Sequence, residues 1–274
     1  MSVTRPSLFQ RSPLKYFMKI CRYEYNKQIN WGVVSNESVF QLKNLENLKK
    51  QKSDLDLSTG VAIEDIELLP PVAPSKVVCV GRNYAEHAIE LGNTVPQEPL
   101  LFLKAPSSII TEGETIIIPE QSQQVEHEGE LGVVIGRPCK GLSAHDNPFD
   151  YIFGYICLND VTARDLQRKD IQFTRAKSFD TFCPVGAFIE TDLEVSDISV
   201  ITRVNGAIKQ NGRTSQMVFP IPFLIRYISY HMTLNAGDII ATGTPSGVSK
   251  LSSGDICEIE IEGIGFLRNP VLDR

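Results

Sequence analysis

The stretch VEHEGELGVVIG, residues 125–136, places Glu126, Glu128 and Glu130 at alternate positions. In a β-strand, residues two apart point to the same face, and like charges crowded on one face repel each other. This repulsion must be offset by water, as on any solvated strand, or by a bound cation. Because magnesium, manganese and calcium prefer carboxylate oxygens, the second alternative predicts a metal site.

A further carboxylate follows another apolar segment. Asp160 ends the run YIFGYICLND, residues 151–160, directly before VTARDLQ. It can supply a third metal ligand, and three carboxylates would leave coordination positions open for a substrate. It can equally cap a following helix. The residues alone leave both alternatives open.

The segment NYAEHAIEL, residues 83–91, contains His87 and Glu90 three positions apart. On a helix these side chains share a face, so the carboxylate can orient the imidazole. Such a pair can activate a water molecule or shuttle a proton. The alternative is a surface helix with an ordinary His and Glu.

The elements that must position these residues are mostly short strands. After residue 76, β-branched segments alternate with Gly and Pro, and only NYAEHAIEL, VTARDLQ and IPFLIRYISYH have helical character. The regular strand and helix alternation of a parallel α/β fold is missing. We therefore expect an α+β fold dominated by strands.

The chain also predicts a division into parts. Residues 19–42 indicate two or three short strands with turns at residues 26–27 and 35–36, and the Pro-rich PPVAPSK, residues 70–76, marks a break. The predicted parts are a disordered tail at residues 1–17, a small N-terminal module at residues 18–70 and the main domain at residues 71–274.

Composition excludes several classes of function. The net charge of -6, without a stripe of Lys and Arg, argues against a nucleic-acid partner. No apolar run approaches the length needed to cross a bilayer. The motifs of dinucleotide enzymes, nucleotide hydrolases, serine hydrolases and zinc proteases are missing from the sequence.

Six cysteines lie mostly in apolar runs, and none belongs to a C-x-x-C pair. This pattern is typical of reduced, buried thiols and argues against a zinc site or a disulfide framework. The cysteines are Cys21, Cys79, Cys139, Cys157, Cys183 and Cys257.

Six strings follow one another between residue 76 and the C-terminus: CVGRNYAEHAIELG, EPLLFLKAPSSI, VEHEGELGVVIGRP, YIFGYICLNDVTARDLQ, RAKSFDTFCPVG and LNAGDIIATGTPSGV. In this order and at these separations they resemble the fumarylacetoacetate hydrolase superfamily, in particular its acylpyruvase and oxaloacetate decarboxylase branch. The resemblance implies a mixed β-sandwich roll with a small N-terminal β-rich module, assembled as a homodimer.

The same resemblance implies one magnesium or manganese ion per active site, held by Glu128, Glu130 and Asp160. Glu126 is not counted as a ligand. A 2-oxo acid could chelate such an ion through its carboxylate and keto oxygens, and the Lewis acid would stabilise an enolate. The implied answer to the repulsion in the E-x-E segment is therefore a cation.

The resemblance also implies the remaining site residues. His87 and Glu90 would form the proton-transfer pair on a mobile lid helix, and Lys177 of AKSFD would pair with the bound carboxylate or the developing enolate. The implied substrate contacts are Arg82, Gln167 and Thr244. The histidines interpreted as structural are His127, on the strand face opposite the ligands, His145 and His231.

The implied activity is hydrolysis of a C–C bond in acylpyruvates, or decarboxylation or tautomerisation of oxaloacetate. Two alternatives stay open: an isomerase or hydratase of aromatic degradation, and a non-catalytic binder of 2-oxo acids. We expect a small 2-oxo acid as the partner and no nucleic acid or membrane. The expected location is the cytoplasm, with a mitochondrion or other organelle as the alternative, since residues 1–17 contain Arg and Ser but no acid.

Overall fold

The structure is a computed structural model that describes residues 18–42 and 60–274. The predicted disordered tail at residues 1–17 lies outside the described residues. The strands are β1 (Lys19–Tyr25), β2 (Gln28–Ser35), β3 (Ser38–Leu42), β4 (Val61–Ala62), β5 (Glu67–Leu69), β6 (Val77–Gly81), β7 (Leu100–Lys104), β8 (Ile109–Ile110), β9 (Ile116–Ile118), β10 (Val125–Glu126), β11 (Gly129–Ile135), β12 (Ile152–Asn159), β13 (Thr162–Ala163), β14 (Cys183–Pro184), β15 (Phe188–Glu190), β16 (Ser199–Val204), β17 (Ala207–Arg213), β18 (Ile239–Ala241), β19 (Ile256–Ile261) and β20 (Gly265–Asp273). The α-helices are α1 (Ala85–Glu90), α2 (Arg164–Lys169), α3 (Thr174–Lys177) and α4 (Ile221–His231).

Two sheets form the body of the molecule. The larger has the order β4-β3-β2-β1-β15-β12-β11-β18-β6-β7, with β5 paired to β1, and the smaller has the order β17-β16-β19-β20-β9. Strands β18 and β6 are parallel, as are β20 and β9, whereas the other neighbours within these two sheets are antiparallel. Strands β11 and β12 contact β16, β19 and β20 across the interior. The predicted strand-dominated, mixed β-sandwich is confirmed.

Strand β11 lies in the middle of the larger sheet, and all seven of its residues are buried. Its odd-numbered residues face the smaller sheet: Leu131 and Val133 belong to the core between the sheets, and a Cβ on Gly129 would meet Thr202 of β16. Because side chains alternate along a strand, the even-numbered positions face the other side of the sheet. Glu130 lies on that other side.

The N-terminal strands form two hairpins. Asn26 and Lys27 turn the chain between β1 and β2, and Asn36 and Glu37 turn it between β2 and β3, all four with positive φ. Left-handed conformation at both central residues suits the twist of a two-residue hairpin. The first turn lies where the sequence predicts it and the second lies one residue later. Strand β1 pairs with β15, so these strands extend the larger sheet, and the division near residue 70 stays a prediction.

Sequence patterns missed several strands, of which β17 and β20 are the longest, and misplaced one helix start. Strand β17 is mostly exposed and polar because it lies at the edge of its sheet, and β20 contains Pro270. Helix α2 begins at Arg164 rather than within VTA, since Thr162 and Ala163 form β13. Helix α4 covers the predicted segment IPFLIRYISYH.

All six cysteines lie among the described residues, and each is buried and outside any disulfide, as predicted. None of the helices in residues 18–42 and 60–274 is both long and apolar enough to span a bilayer.

Asp238 joins the start of β18 to the start of β6. Its Oδ1 accepts hydrogen bonds from the backbone N–H of Ser75 at 2.9 Å and from the Ser75 hydroxyl at 2.7 Å. Its Oδ2 accepts from Lys76 Nζ at 2.5 Å and from Asn235 N at 2.8 Å. Burial raises the pKa of Asp238, but the hydrogen bonds from Asn235, Lys76 and Ser75 outweigh it and hold the pKa below its usual value.

Asp238→Asn is expected to lower the free energy of unfolding by about 2–3 kcal/mol near neutral pH. The reason is that the donors of Ser75, Lys76 and Asn235 would no longer bond to a charged carboxylate. Since the folded pKa is depressed, this contribution is present above the unfolded pKa and is lost as the pH falls through the folded pKa. Urea unfolding of both proteins at about pH 7 and about pH 3 would measure it.

The matched control is Asp146→Asn, because Asp146 accepts comparable hydrogen bonds from Ser143 but is only partly buried, whereas Asp238 is fully buried. We expect only a small change for this variant. Equal losses of unfolding free energy in the two variants would contradict a stabilising role of the Asp238 carboxylate. A loss in Asp238→Asn that is as large at about pH 3 as at about pH 7 would contradict it as well.

Candidate active site

A cavity of about 510 Å³ opens beside the start of β11 and is bordered by α1, α2 and α3. All nine residues predicted from the sequence line it, although they come from distant parts of the chain. They are Arg82, His87, Glu90, Glu128, Glu130, Asp160, Gln167, Lys177 and Thr244.

Three of these residues form a buried carboxylate cluster. Glu128, Glu130 and Asp160 each offer one oxygen, and these oxygens all lie within 4.8 Å of one another. The pairing of Gly129 with Asn159 brings the start of β11 to the end of β12. The Asp160 N–H donates to the Glu128 carbonyl at 2.8 Å, and the Glu128 N–H donates to Asn159 Oδ1 at 3.0 Å. The cluster therefore lies where two neighbouring strands meet and is held there by a backbone hydrogen bond and by the Asn159 side chain.

The E-x-E segment is not one continuous strand, in contrast to the expectation. Strand β10 pairs with β13, β11 pairs with β12 and β18, and His127 and Glu128 lie between them. The alternation of side chains nevertheless persists. The His127 ring lies against Gln210 of β17 at 3.1 Å and Ser249 at 2.8 Å, on the side away from the carboxylates.

Three buried cationic side chains surround the carboxylates. Lys177 Nζ lies 2.7 Å from Glu128 Oε2 and 2.7 Å from Asp160 Oδ2. Lys104 Nζ lies 2.5 Å from Asp160 Oδ1. Arg164 donates to Glu128 through Nη2 and to Glu126 through Nε, the second at 2.8 Å. The charge of Glu126 is thus balanced by an arginine.

Glu130 is the exception within the cluster. Among the described residues no Lys or Arg lies within ion-pair distance of it, and its Oε2 accepts one hydrogen bond, from Gly243 N at 2.7 Å. Burial raises the pKa of Glu130 well above its usual value, and the charges of Asp160 and Glu128 raise it further. A cation beside Glu130 would relieve this repulsion.

The pKa values of Glu128 and Lys177 are dominated by neighbouring opposite charges rather than by burial. Burial raises the pKa of Glu128, but Lys177 and Arg164 outweigh burial and hold it far below its usual value. Burial lowers the pKa of Lys177, but Asp160 and Glu128 outweigh it and raise the pKa. Both groups are therefore held in their charged forms.

The donor set fits a hard divalent cation. It consists of carboxylate oxygens alone, which suits magnesium or manganese. When all four carboxylates, counting Glu126, are ionised, the cluster has one more negative charge than its three cationic partners. A divalent cation would convert this excess into one positive charge, which attracts an anionic substrate.

The predicted proton-transfer pair lies in the same cavity. His87 and Glu90 are both on α1, with His87 Nδ1 at 3.2 Å from Glu90 Oε2. The His87 side chain is 5% exposed and that of Glu90 is 32% exposed. The Glu90 carboxylate also accepts the backbone N–H of Gly247 at 3.0 Å. Because its ring is oriented by a carboxylate, His87 can exchange a proton with a bound ligand.

Arg82 has no hydrogen-bond or ion-pair partner within the described part of the chain, although it lines the cavity. Its φ is 58°. The next residue, Asn83, is locked by hydrogen bonds to Thr242 O at 2.7 Å and from Phe219 N at 2.8 Å. This arrangement leaves the Arg82 guanidinium for an anionic group of a ligand.

Gln167 and Thr244 already have protein partners. Gln167 Oε1 accepts from Arg164 Nη1 at 2.6 Å, which leaves the amide NH2 for a ligand. The Thr244 hydroxyl donates to Gly129 O at 2.9 Å and accepts from Gln210 Nε2 at 2.7 Å. Thr244 thus ties its loop to the segment that carries Glu128 and Glu130.

Sequence reasoning missed four residues of this site: Lys104, Arg164, Gln210 and Gly247. A lysine at the end of the apolar run LLFLK was the one available signal for Lys104. Arg164 lies inside the quoted VTARDLQ, but nothing in that string indicates two carboxylate partners. Gln210 and Gly247 act through contacts between segments far apart in the chain.

Comparison with known proteins identifies the family. Residues 76–272 match the family model described as fumarylacetoacetate (FAA) hydrolase C-terminal. The oxaloacetate tautomerase YisK of Bacillus subtilis (strain 168) is 41% identical over 248 residues, which are 85% of this chain and 82% of that protein. The mitochondrial oxaloacetate decarboxylase of Dictyostelium discoideum is 44% identical over 196 residues, which are 69% of this chain and 89% of that one.

A solved structure agrees with these matches. The crystal structure of 5-carboxymethyl-2-hydroxymuconate delta-isomerase from Mycobacterium smegmatis superposes with a TM-score of 0.83 at 40% identity, covering 94% of this chain and 99% of the other. The family expected from the six sequence strings is confirmed, and the chain belongs to the fumarylacetoacetate hydrolase family.

Proposed function

We propose that this protein is a divalent-metal-dependent enzyme for small 2-oxo dicarboxylic acids, and that it interconverts the keto and enol forms of oxaloacetate. The observation that carries the proposal is one cavity in which the buried cluster of Glu128, Glu130 and Asp160 meets the His87 and Glu90 pair. The names of the Bacillus and Dictyostelium relatives support oxaloacetate as the substrate.

The carboxylate cluster would hold magnesium or manganese. When bound, the ion would act as a Lewis acid for the keto and carboxylate oxygens of a 2-oxo acid. Lys177, fixed between Glu128 and Asp160, would balance negative charge that develops on the substrate oxygens.

The remaining steps belong to side chains of the cavity wall. His87, oriented by Glu90, would take a proton from C3 of the keto acid and deliver a proton to the oxygen at C2, which converts the ketone into the enol. Arg82 would bind the distal carboxylate, since its guanidinium lacks a partner in the described chain. Phe102 and Phe173 pack edge to face beside the cavity and would limit access of water.

The test is to follow enol and keto oxaloacetate by absorbance, and pyruvate release from oxaloacetate and acetylpyruvate, with magnesium and with a chelator. We expect metal-dependent tautomerisation without pyruvate release. Pyruvate release from oxaloacetate or from acetylpyruvate would instead assign the decarboxylase or the hydrolase. Metal-dependent binding of oxalate without turnover would favour a non-catalytic binder, and neither binding nor turnover would overturn the proposal.

A second candidate is isomerisation of a longer unsaturated diacid. The cavity of about 510 Å³ lies within the range of about 300–1,000 Å³ that accommodates larger ligands. The name of the similar Mycobacterium smegmatis structure points to the same chemistry. Turnover of 5-carboxymethyl-2-hydroxymuconate at a higher kcat/KM than oxaloacetate would favour this candidate.

The homodimer, the cytoplasmic location and its organelle alternative stay predictions. Sedimentation of the purified protein would test the first, and imaging of a tagged protein in its own cell would test the other two.

A further inference from the structure

The loop 243–247, which follows β18, is attached at one end to the carboxylate cluster. The Gly243 N–H donates to Glu130 Oε2 at 2.7 Å. The Thr244 hydroxyl donates to the carbonyl of Gly129 at 2.9 Å, between the two glutamates of the E-x-E. The first half of this loop is therefore fixed to the E-x-E segment, and a shift of that segment would move it.

The other end of the same loop is attached to the proton-transfer pair. The Gly247 N–H lies 3.0 Å from Glu90 Oε1 and 3.2 Å from Glu90 Oε2. Glu90 Oε2 also contacts His87 Nδ1 at 3.2 Å. One backbone amide thus shares the carboxylate that orients the imidazole.

The loop is braced from behind by β17. Gln210 Nε2 donates to the Thr244 hydroxyl and to the Pro245 carbonyl, both at 2.7 Å. Gly247 has φ of 101°, and a Cβ at this position would lie 2.0 Å from the carbonyl oxygen of Lys209. Only glycine fits such a backbone conformation against a neighbouring backbone. The Gly247 amide is therefore aimed by packing against β17.

Helix α1 needs such an anchor. It has six residues and no side-chain hydrogen bond at its N-cap. An isolated helix of this length is not stable, so contacts with the rest of the protein must hold it. A second polar contact with the loop, from the Ser246 hydroxyl to Glu86, is longer, at 3.3 Å.

We propose that Gly247 is a positioning residue of the active site: its amide fixes Glu90, and through Glu90 it sets His87 at a defined place relative to Glu130. The inference rests on the proposed function in one respect, the role of His87 in proton transfer. It adds a residue, and a physical link of five residues, between the carboxylates and the proton-transfer pair.

The test compares Gly247→Ala with Gly254→Ala. Gly254 also has a positive φ, 92°, but a Cβ there meets nothing within 4 Å. This variant therefore reproduces the backbone strain without a collision that would move the loop away from β17. We expect Gly247→Ala to lower kcat for oxaloacetate tautomerisation by about tenfold to a hundredfold, as for a small misplacement of a catalytic group. Magnesium affinity measured by calorimetry should change much less than kcat, because Gly243 and Thr244 keep their own hydrogen bonds to Glu130 and Gly129.

Hydrogen exchange gives a readout that does not need turnover. Amides of α1 should exchange faster in Gly247→Ala than in Gly254→Ala, and Glu90→Ala should deprotect the Gly247 amide, which covers the case in which Gly247→Ala fails to fold. Unchanged kcat in Gly247→Ala, or a parallel fall of kcat and magnesium affinity, would overturn the positioning role. If the wild type turns over none of the substrates, the proposed function fails, while equal exchange in the two glycine variants would separately refute the anchor.

Discussion

Glu130→Gln is expected to abolish metal-dependent turnover and, at the same time, to raise the melting temperature of the metal-free protein. Glu130 is buried beside two other carboxylates without a cationic partner in the described chain, so its charge opposes folding when no cation is bound. Glutamine has the same shape and can still accept the Gly243 N–H. Removing about 1 kcal/mol of the destabilisation that the Glu130 charge causes would raise the melting temperature by about 2–4 °C.

The same change should weaken magnesium binding by at least about a hundredfold, because it removes a charged ligand rather than an outer partner of one. Calorimetric titration with magnesium, and thermal unfolding in a chelator, measure the two effects on one protein. A lower melting temperature without metal would contradict the view that the Glu130 charge opposes folding, and unchanged magnesium affinity would contradict its role as a metal ligand.

Glu128→Gln is the matched control within the cluster. Glu128 is also a proposed ligand, so magnesium affinity should fall in this variant as well. Its carboxylate, however, holds Lys177 and Arg164, and its loss leaves two buried cations short of a partner. Removing one partner of a buried ion pair costs about 3–5 kcal/mol, so the metal-free protein should melt at a lower temperature. Opposite signs of the two stability changes are the expected signature.

His87→Ala is expected to lower kcat by about 10²–10⁴-fold, the usual contribution of a positioned acid or base. The imidazole bonds to Glu90 and is not among the three carboxylates that would hold the ion, so magnesium affinity should persist. Steady-state tautomerisation kinetics measure the fall in kcat, and calorimetry measures the magnesium affinity.

His231→Ala is the control for this substitution. His231 ends α4, is exposed and contacts the carbonyl of Tyr227, away from the residues that line the cavity. Its replacement should leave kcat near the wild-type value. Full turnover by His87→Ala would assign proton transfer to another group, with Lys177 as the first to examine.

Local sequence patterns were sufficient for several elements. The apolar periodicity of IPFLIRYISYH predicts helix α4 over residues 221–231, where it is found. Turn residues located the β1–β2 hairpin, since Asn26 and Lys27 both adopt the left-handed conformation that it requires. These features depend on interactions between residues near in sequence, and the residue types carry that information directly.

The E-x-E segment shows where local patterns stop. Alternation predicts that Glu128 and Glu130 share a face and that His127 does not, and the side chains follow this rule. The interruption of the strand at residues 127–128 has no local signal. It arises because β10 pairs with β13 whereas β11 pairs with β12 and β18.

Periodicity in the sequence by itself determined the strand-dominated fold, and the resemblance of six ordered motifs identified the family and nine of the residues that line the cavity, because these signals are properties of short segments. Only the tertiary structure decided how their charges are balanced. Lys104 reaches Asp160 across 56 positions of the chain, and Gly247 reaches Glu90 across 157. Such contacts depend on strand order and on the packing of a loop against β17, and neither the type nor the spacing of the residues encodes them in a readable pattern.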